Sequence, residues 1–254
     1  MRYPIAIDAG LQQLALDEAR GVVRLEAAAL EQLAEALDGN FVALVELIRK
    51  APGRVVFSGV GKSAHIARKA AATLASTATP AQIVHGGDAS HGDMGMITTA
   101  DVVVMFSKSG ETRELADLAN YCVRFDIPLA LVTQKPASRL GLAANIVVAL
   151  PEMGEACGIT DAPTTSTTMM AALGDALAVV LLRRRGFKAA DFHVFHPGGT
   201  LGSALLTVGE VMHAGDELPL VRGSGSVAQA ILEMTSMGFG CTGVTDEAGA
   251  LIGI

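Results

Sequence analysis

The sequence predicts a doubly wound α/β domain with a five-stranded parallel sheet, followed by a small, incomplete α+β unit. Three observations lead there. Five short apolar runs stand at regular intervals between residues 55 and 150. Helical segments of amphipathic character separate them, and the rhythm changes near residue 207. Continuous apolar runs alternating with helices mean a parallel sheet covered on both faces.

Taken in chain order, residues 11–50 are rich in Leu, Ala and Glu at helical spacing and predict two helices broken at AspGlyAsn (38–40). The strand runs are ValValPheSer (55–58), GlnIleValHis (82–85), ValValValMetPhe (102–106), LeuAlaLeuValThr (129–133) and IleValValAlaLeu (146–150). Helices are predicted between them over 62–78, 111–125 and 137–143. An irregular loop, 151–163, leads to a long apolar helix over 165–185, and PheHisProGlyGly (195–199) is a turn or loop. The first domain is drawn at 1–206 and the second at 207–254. In the second, 224–234 reads as a capped helix and 241–254 as a hairpin around an acidic, glycine-containing turn. A unit of about 48 residues is little for an independent core, so it reads as a domain cut short.

Composition removes several functions. Net charge is −7, with no Trp and two Tyr, and no Lys/Arg stripe is interleaved with aromatics. Nucleic-acid binding is disfavoured. Cys122, Cys157 and Cys241 are far apart and show no CxxC spacing, which argues against disulfide scaffolds and cysteine-rich zinc sites and for a reducing cytosol. The N-terminus lacks the apolar core of a signal peptide. The apolar stretch from Met169 to Leu182 carries Asp175 and falls short of the ~18 residues of a span, so it reads as a buried helix and no membrane is expected.

SerLysSerGlyGluThr (107–112) carries the most information about function. It closes a strand and, on this reading, opens a helix near Glu111. Small hydroxyl residues there cradle phosphate, with backbone N–H groups and a helix N-terminus supplying positive potential. The plainer reading is a helix N-cap. A second turn of the same kind, SerGlyValGlyLysSer (58–63), tips the balance. It resembles a P-loop but lacks that pattern's first glycine, which disfavours a nucleotide triphosphatase. A compact turn with one Lys suits a sugar phosphate. The phosphate cradle is therefore assigned to Ser107, Ser109 and Thr112, helped by Ser58, Gly59, Gly61 and Ser63. Thr164, Thr165 and Ser166 begin the long helix and either cap it or touch substrate, Thr164 being counted with the substrate set. His85, His91 and Asp93 invite a zinc reading. The methionines nearby read as core filler.

Seven motifs in order carry a family resemblance: SerGlyValGlyLysSer, HisGlyGlyAspAlaSerHisGlyAspMetGly (85–95), SerLysSerGlyGluThr, GluAlaCys (155–157), AlaProThrThrSerThrThr (162–168), GlyAspAlaLeuAla (174–178) and HisProGlyGlyThrLeuGly (196–202). Together they resemble the D-arabinose-5-phosphate isomerase family, which joins a sugar isomerase (SIS) domain to two CBS repeats. The resemblance implies an SIS-type three-layer αβα sandwich and a partial first CBS unit. It also implies interconversion of D-ribulose 5-phosphate and D-arabinose 5-phosphate without an organic cofactor, supplying the sugar acid Kdo of lipopolysaccharide or capsule. It implies a cytoplasmic homotetramer, and an inhibitory divalent metal near His85 and His91 rather than a required one.

By the same resemblance, Lys62, Glu111, Glu155 and His196 line up with the family's catalytic positions. An aldose–ketose isomerase passes through an enediolate and needs a base, an oxyanion stabiliser and a ring opener. One of Glu111 and Glu155 takes the proton from carbon. Glu155 is favoured, because a carboxylate packed in a loop is desolvated and its pKa rises toward neutrality. Glu111 then shuttles protons between sugar oxygens, Lys62 is a fixed cation for the enediolate or phosphate, and His196 suits ring opening.

The chain departs from the family at Lys108, where Asn is usual, at GlyGlyAsp (86–88) and at GlyIleThrAsp (158–161), which brings Asp161 near the expected base. These changes leave a different sugar phosphate as the alternative substrate. A non-catalytic sugar-phosphate sensor is a further rival, but the acidic, Ala/Leu-rich N-terminal 50 residues hold no basic recognition helix.

Overall fold

The computed structural model describes residues 8–186 and 207–254. Two compact units divide the chain, Met1–His196 and Pro197–Ile254. That division and the boundary drawn from sequence both adjoin or cross the segment 187–206, which lies outside the described residues.

Two helices open the first unit. α1 (Ala9–Ala36) is capped by Asp8, whose carboxylate accepts from the Gly10 and Leu11 amides. α2 (Gly39–Lys50) is capped by Asp38 and ends on Arg49 and Lys50, cations that complement the helix dipole. The AspGlyAsn turn therefore stops one helix and starts the next. Only Ala29 and Leu33 of α1 are buried, and Leu11, Leu14, Leu16, Val22 and Val23 are exposed.

The sheet then forms from β1 (Val55–Gly59), β2 (Ala81–Ile83), β3 (Val102–Phe106), β4 (Leu129–Thr133) and β5 (Ile146–Ala149). Its order is β2-β1-β3-β4-β5 and every pairing is parallel. Between the strands run α3 (Lys62–Ser76), α4 (Gly86–Ala89), α5 (Ala116–Arg124) and α6 (Arg139–Ala143), and α7 (Thr165–Arg184) follows β5. β1, β3 and β4 are buried along their whole length, which is why they read as unbroken apolar runs.

Alternation along each strand builds two cores. Val55, Phe57, Val102, Val104, Phe106 and Val132 face one way, into a cluster with Leu74, Met169, Met170 and Leu177 of α3 and α7. Val56, Val103, Met105, Leu129 and Leu131 face the other, against Leu118, Cys122 and Leu140 of α5 and α6. Burial pushes the Cys122 thiol up to about 12, so it is an inert core residue. α7 is long and apolar enough to cross a membrane, yet half of that window is buried inside the protein, as expected for a core helix. Lys69 and Asp175 join α3 to α7 by an ion pair.

The structure corrects one helix start. Over 111–125, a 3-10 turn at Arg113–Leu115 precedes α5, which begins only at Ala116. Gly110 has φ +65°, and Ser107 and Ser109 hydroxyls take the Gly110 and Glu111 amides, so those groups are committed to a turn. β2 is also shorter than expected, because His85 leaves the strand to cap α4.

In the second unit, α8 (Val208–Val211) and a 3-10 turn at Gly215–Glu217 precede β6 (Leu220–Arg222), α9 (Val227–Met237), β7 (Gly243–Thr245) and β8 (Leu251–Gly253). α9 starts with a reciprocal capping box between Ser226 and Gln229 and stops at Gly238, φ +74°. β7 and β8 form the antiparallel hairpin read from sequence, and β6, which the pattern did not reveal, adds parallel to β7. Val227, Leu232 and Ile252 are exposed on this unit.

The Phe57 and Phe106 rings meet edge to face with centroids 5.6 Å apart, and both are buried. Phe57→Ala is expected to destabilise the first unit by about 3–5 kcal/mol. The check is urea unfolding, in which the midpoint should fall without a change in m.

Candidate active site

Side-by-side pairing of β1 and β3 fixes the site. Gly59 pairs with Phe106 in register, so SerGlyValGlyLysSer and SerLysSerGlyGluThr leave the sheet next to each other at its carboxyl edge. The chain winds one way from β1 to β2 and the other way from β3 to β4, which makes β1/β3 the topological switch point where such sheets bind ligands.

The β1 turn is tight. A Cβ at Gly59 would come within 3.0 Å of the Ala64 nitrogen, so only glycine lets β1 run this close to α3. Lys62 is the first residue of α3 and is exposed. Ser58 is buried, and its hydroxyl has no hydrogen-bond partner among the described residues. The Thr165 hydroxyl at the start of α7 is equally buried and unpaired. Buried, unpaired hydroxyls are costly and call for an explanation.

The β3 turn is braced from three sides. Ser107 Oγ lies 2.8 Å from Thr112 Oγ1 and accepts from the Gly110 amide at 3.1 Å. The Lys108 carbonyl accepts from the Gln134 amide and the Thr133 hydroxyl, both at 3.0 Å. Gly110 packs so close to Ser138 that a Cβ would sit 1.8 Å from Ser138 Oγ. Ser107, Ser109 and Thr112 are thus gathered in one loop, as the sequence predicts, and the first and last are in contact.

Glu111 lies in this loop, not in the first turn of a helix. Its Oε1 accepts from the Arg139 amide at 2.7 Å, at the N-terminus of α6. Glu111 and Arg139 also line an open groove of about 1280 Å3 that runs along α5, α6 and the ends of β4 and β5. Lys62, Ser107 and Glu155 do not line it, so this groove is not the strand-end site. No hydrogen bond or ion pair joins Lys62, Glu111 and Glu155 to one another among the described residues.

Glu155 departs most from expectation. Its side chain is 2% exposed and sits on the N-terminus of α7. Oε2 accepts from the Thr164 amide (2.8 Å) and the Ser166 amide (3.2 Å), and Oε1 from Ser166 Oγ (2.6 Å). The Lys108 ammonium stands 2.7 Å from Oε1. Burial pushes the carboxyl up, but Lys108, the Ser166 hydroxyl and the two amides outweigh it and hold Glu155 at about 2. The expected rise toward neutrality is therefore corrected. Desolvation is present, but the donors around the carboxylate win. The sequence shows Lys108 only as a departure from the family pattern, not as the partner of Glu155; SerLysSer gives its place in the β3 turn but not the residue it reaches.

The remaining candidates are soon placed. Thr164 precedes α7 and binds Glu155 by its amide, while its hydroxyl accepts from the Ala156 amide at 2.9 Å. Asp161 is exposed and is not among the groups that shift Glu155. His85 Nδ1 accepts from the Gly87 amide at 3.2 Å. Among the described residues, no group of three or more His, Cys, Asp and Glu side chains is placed to hold a metal, at His85, His91 and Asp93 or elsewhere. His196 lies outside the described residues.

A parallel sheet with two hydroxyl- and glycine-rich turns at its switch point, and a buried carboxylate tied to one of them, defines a protein built around a phosphorylated small molecule. Comparison with known proteins agrees. A family model described as SIS domain matches residues 47–180. Arabinose 5-phosphate isomerase KdsD of Pseudomonas aeruginosa PAO1 is 47% identical over 94% of this chain and 74% of its own length. The enzyme of that name from Escherichia coli K12 is 44% identical over 92% of this chain and 71% of its own. Among solved structures, E. coli CFT073 c3406 in complex with arabinose 5-phosphate superposes with a TM-score of 0.70 at 36% identity, covering 76% of this chain and 100% of that one. A putative phosphosugar isomerase involved in capsule formation from Bacteroides fragilis gives 0.69 at 29% identity, covering 73% of this chain and 98% of that one. The chain belongs to the SIS-domain family and, within it, to the arabinose 5-phosphate isomerases.

The depressed Glu155 pKa is a statement about stability. A carboxyl near 2 in the fold and near 4.5 when unfolded stabilises above 4.5 and loses that contribution as pH falls toward 2. Wild type is expected to lose on the order of 1–3 kcal/mol across that window. Glu155→Gln should show a flatter dependence, read by denaturant unfolding between pH 2 and 6. Gly110→Ala should disorder the 107–112 turn and, if that turn cradles phosphate as the sequence predicts, weaken sulfate binding at least about tenfold by calorimetry, because the new methyl meets Ser138.

Proposed function

We propose that the chain is an aldose–ketose isomerase interconverting D-ribulose 5-phosphate and D-arabinose 5-phosphate through an enediolate. The carrying observation is its 44–47% identity to arabinose 5-phosphate isomerases over 92–94% of the chain, with the turn and carboxylate residues of such chemistry at the strand ends. The phosphate rests on Ser107, Ser109 and Thr112, with Ser58, Gly59, Gly61 and Ser63 completing the cradle. Lys62, at the head of α3, adds a positive charge where the helix dipole already favours an anion.

In the reaction, a proton leaves C1 or C2, the electrons of that C–H bond form the enediol C=C, and the carbonyl oxygen takes the negative charge. Glu155 receives the carbon-bound proton and returns it to the neighbouring carbon. Glu111 carries the proton between the two oxygens, and Lys62 offsets the oxyanion charge. His196 opens the cyclic sugar. No organic cofactor takes part, and a divalent metal at His85 and His91 would inhibit. The product serves the Kdo branch of lipopolysaccharide or capsule synthesis in the cytoplasm. Copies assemble as a tetramer, for which the exposed Leu11, Leu14, Val22 and Val23 of α1 offer apolar surface. Residues 207–254 form the first part of a CBS domain.

Wild type is expected to convert D-ribulose 5-phosphate to the aldose, identified by NMR, and Glu155→Gln to lose about 10²–10⁴ in kcat. Turnover retained in Glu155→Gln removes Glu155 as the base. Turnover of another sugar phosphate in place of ribulose 5-phosphate would mean that Lys108 and residues 158–161 have redirected the site.

A further inference from the structure

We propose that Lys108 is a positioning residue that couples phosphate binding to the basicity of Glu155: with the cradle empty it holds Glu155 clamped, and an arriving phosphate draws its charge away. The catalytic consequence rests on the isomerase reading; the coupling of Lys108 to Glu155 does not.

The geometry is specific. Lys108 stands between Ser107 and Ser109, inside the turn that gathers the phosphate-binding hydroxyls. Its backbone is pinned through its carbonyl to Thr133 and Gln134, so only the side chain is free to move. That side chain spans from the β3 turn to Glu155, on the loop after β5, and links the two. The Lys108 side chain is 33% exposed while Glu155 is 2% exposed, so the ammonium is the half of the pair that a solute can reach. An ammonium has three donors, and one hydrogen bond to Oε1 leaves two for a tetrahedral anion. If the phosphate takes the ammonium, Glu155 loses its cation. If Lys108 bridges both, the anion stands close to the carboxylate. The sign is the same either way: proton affinity of Glu155 rises when phosphate binds.

The clamped carboxylate poses the problem that this solves. A carboxylate held near 2 is a poor base at neutral pH, because general bases work best near the operating pH. The groups facing Glu155 are few. From the N-terminus of α7 and its cap come the Thr164 and Ser166 amides, the Ser166 hydroxyl, the Thr164 hydroxyl at 3.3 Å and the helix dipole. From the β3 turn comes Lys108. Of the neighbouring acids, Glu152 pairs with Lys135, and Asp161 is exposed and is not among the groups that shift Glu155. Lys108 is therefore the one charged partner among the described residues whose withdrawal can retune Glu155.

The test reads Glu155 directly and then reads turnover. Carboxyl 13C NMR of protein labelled at Glu, with the signal assigned by Glu155→Gln, gives its titration with and without sulfate, a tetrahedral anion across the whole range. In wild type, saturating sulfate should raise the Glu155 midpoint by about one pH unit or more. In Lys108→Met the midpoint should start high and no longer respond to sulfate, and Lys108→Arg should restore the wild-type response. In kinetics, kcat/KM reports the free enzyme and kcat the substrate complex. The acid limb of kcat should therefore lie at higher pH than that of kcat/KM in wild type, and the two should coincide in Lys108→Met. A Glu155 midpoint that ignores sulfate in wild type, bound or not, overturns the proposal, as does one unchanged in Lys108→Met. If ribulose 5-phosphate is not turned over at all, the isomerase reading fails, and the NMR titration still decides the coupling.

Discussion

Parallel pairing of β1 with β3 is the constraint on which the rest of the molecule depends. Both strands are buried on both faces, and the residue-by-residue register brings Gly59 opposite Phe106. Two chemically similar turns thus emerge as neighbours although 49 positions separate Ser58 from Ser107 in the sequence. A single-residue slip would flip Phe57 and Ser58 each to the face it does not now occupy and break the Phe57–Phe106 contact. The hydrogen bonds that hold the sheet together also set the two turns side by side.

A second tier of organisation comes from helix ends. Glu111 holds the amide that opens α6, and Glu155 holds those that open α7. Each carboxylate offsets unsatisfied N–H groups and sits where the helix dipole favours negative charge. Such placement orders the loops that carry them. At Glu155 it also opposes use as a strong base, because the donors that order this carboxylate lower its proton affinity. A site that needs both order and basicity must relieve one of these donors at the right moment, and only a mobile side chain can do that.

Much of the fold was legible in the chain. Two strands, 102–106 and 129–133, match their predicted bounds, since unbroken apolar runs with β-branched residues have no other comfortable state in a two-sided sheet. The break at 38–40, the long helix after residue 164 and the hairpin after 241 were likewise written in turn residues, caps and periodicity. The misplaced start at Glu111 has a local cause: Ser107 and Ser109 compete for the amides that a helix would need, and propensity alone does not rank that competition. β6 escaped because a three-residue, half-exposed strand carries almost no periodic signal.

By itself, the sequence determined the doubly wound class, the family, and the residue types at the two turns, because these depend on local pattern and motif order. Tertiary structure alone decided the electrostatics of the site. Whether burial or hydrogen bonding sets the pKa of Glu155 depends on which donors reach it, Lys108 from far back in the chain among them, and on the orientation of the α7 N-terminus. Coulombic and hydrogen-bond energies vary over ångströms, and distances between segments remote in sequence exist only once the sheet has brought them together.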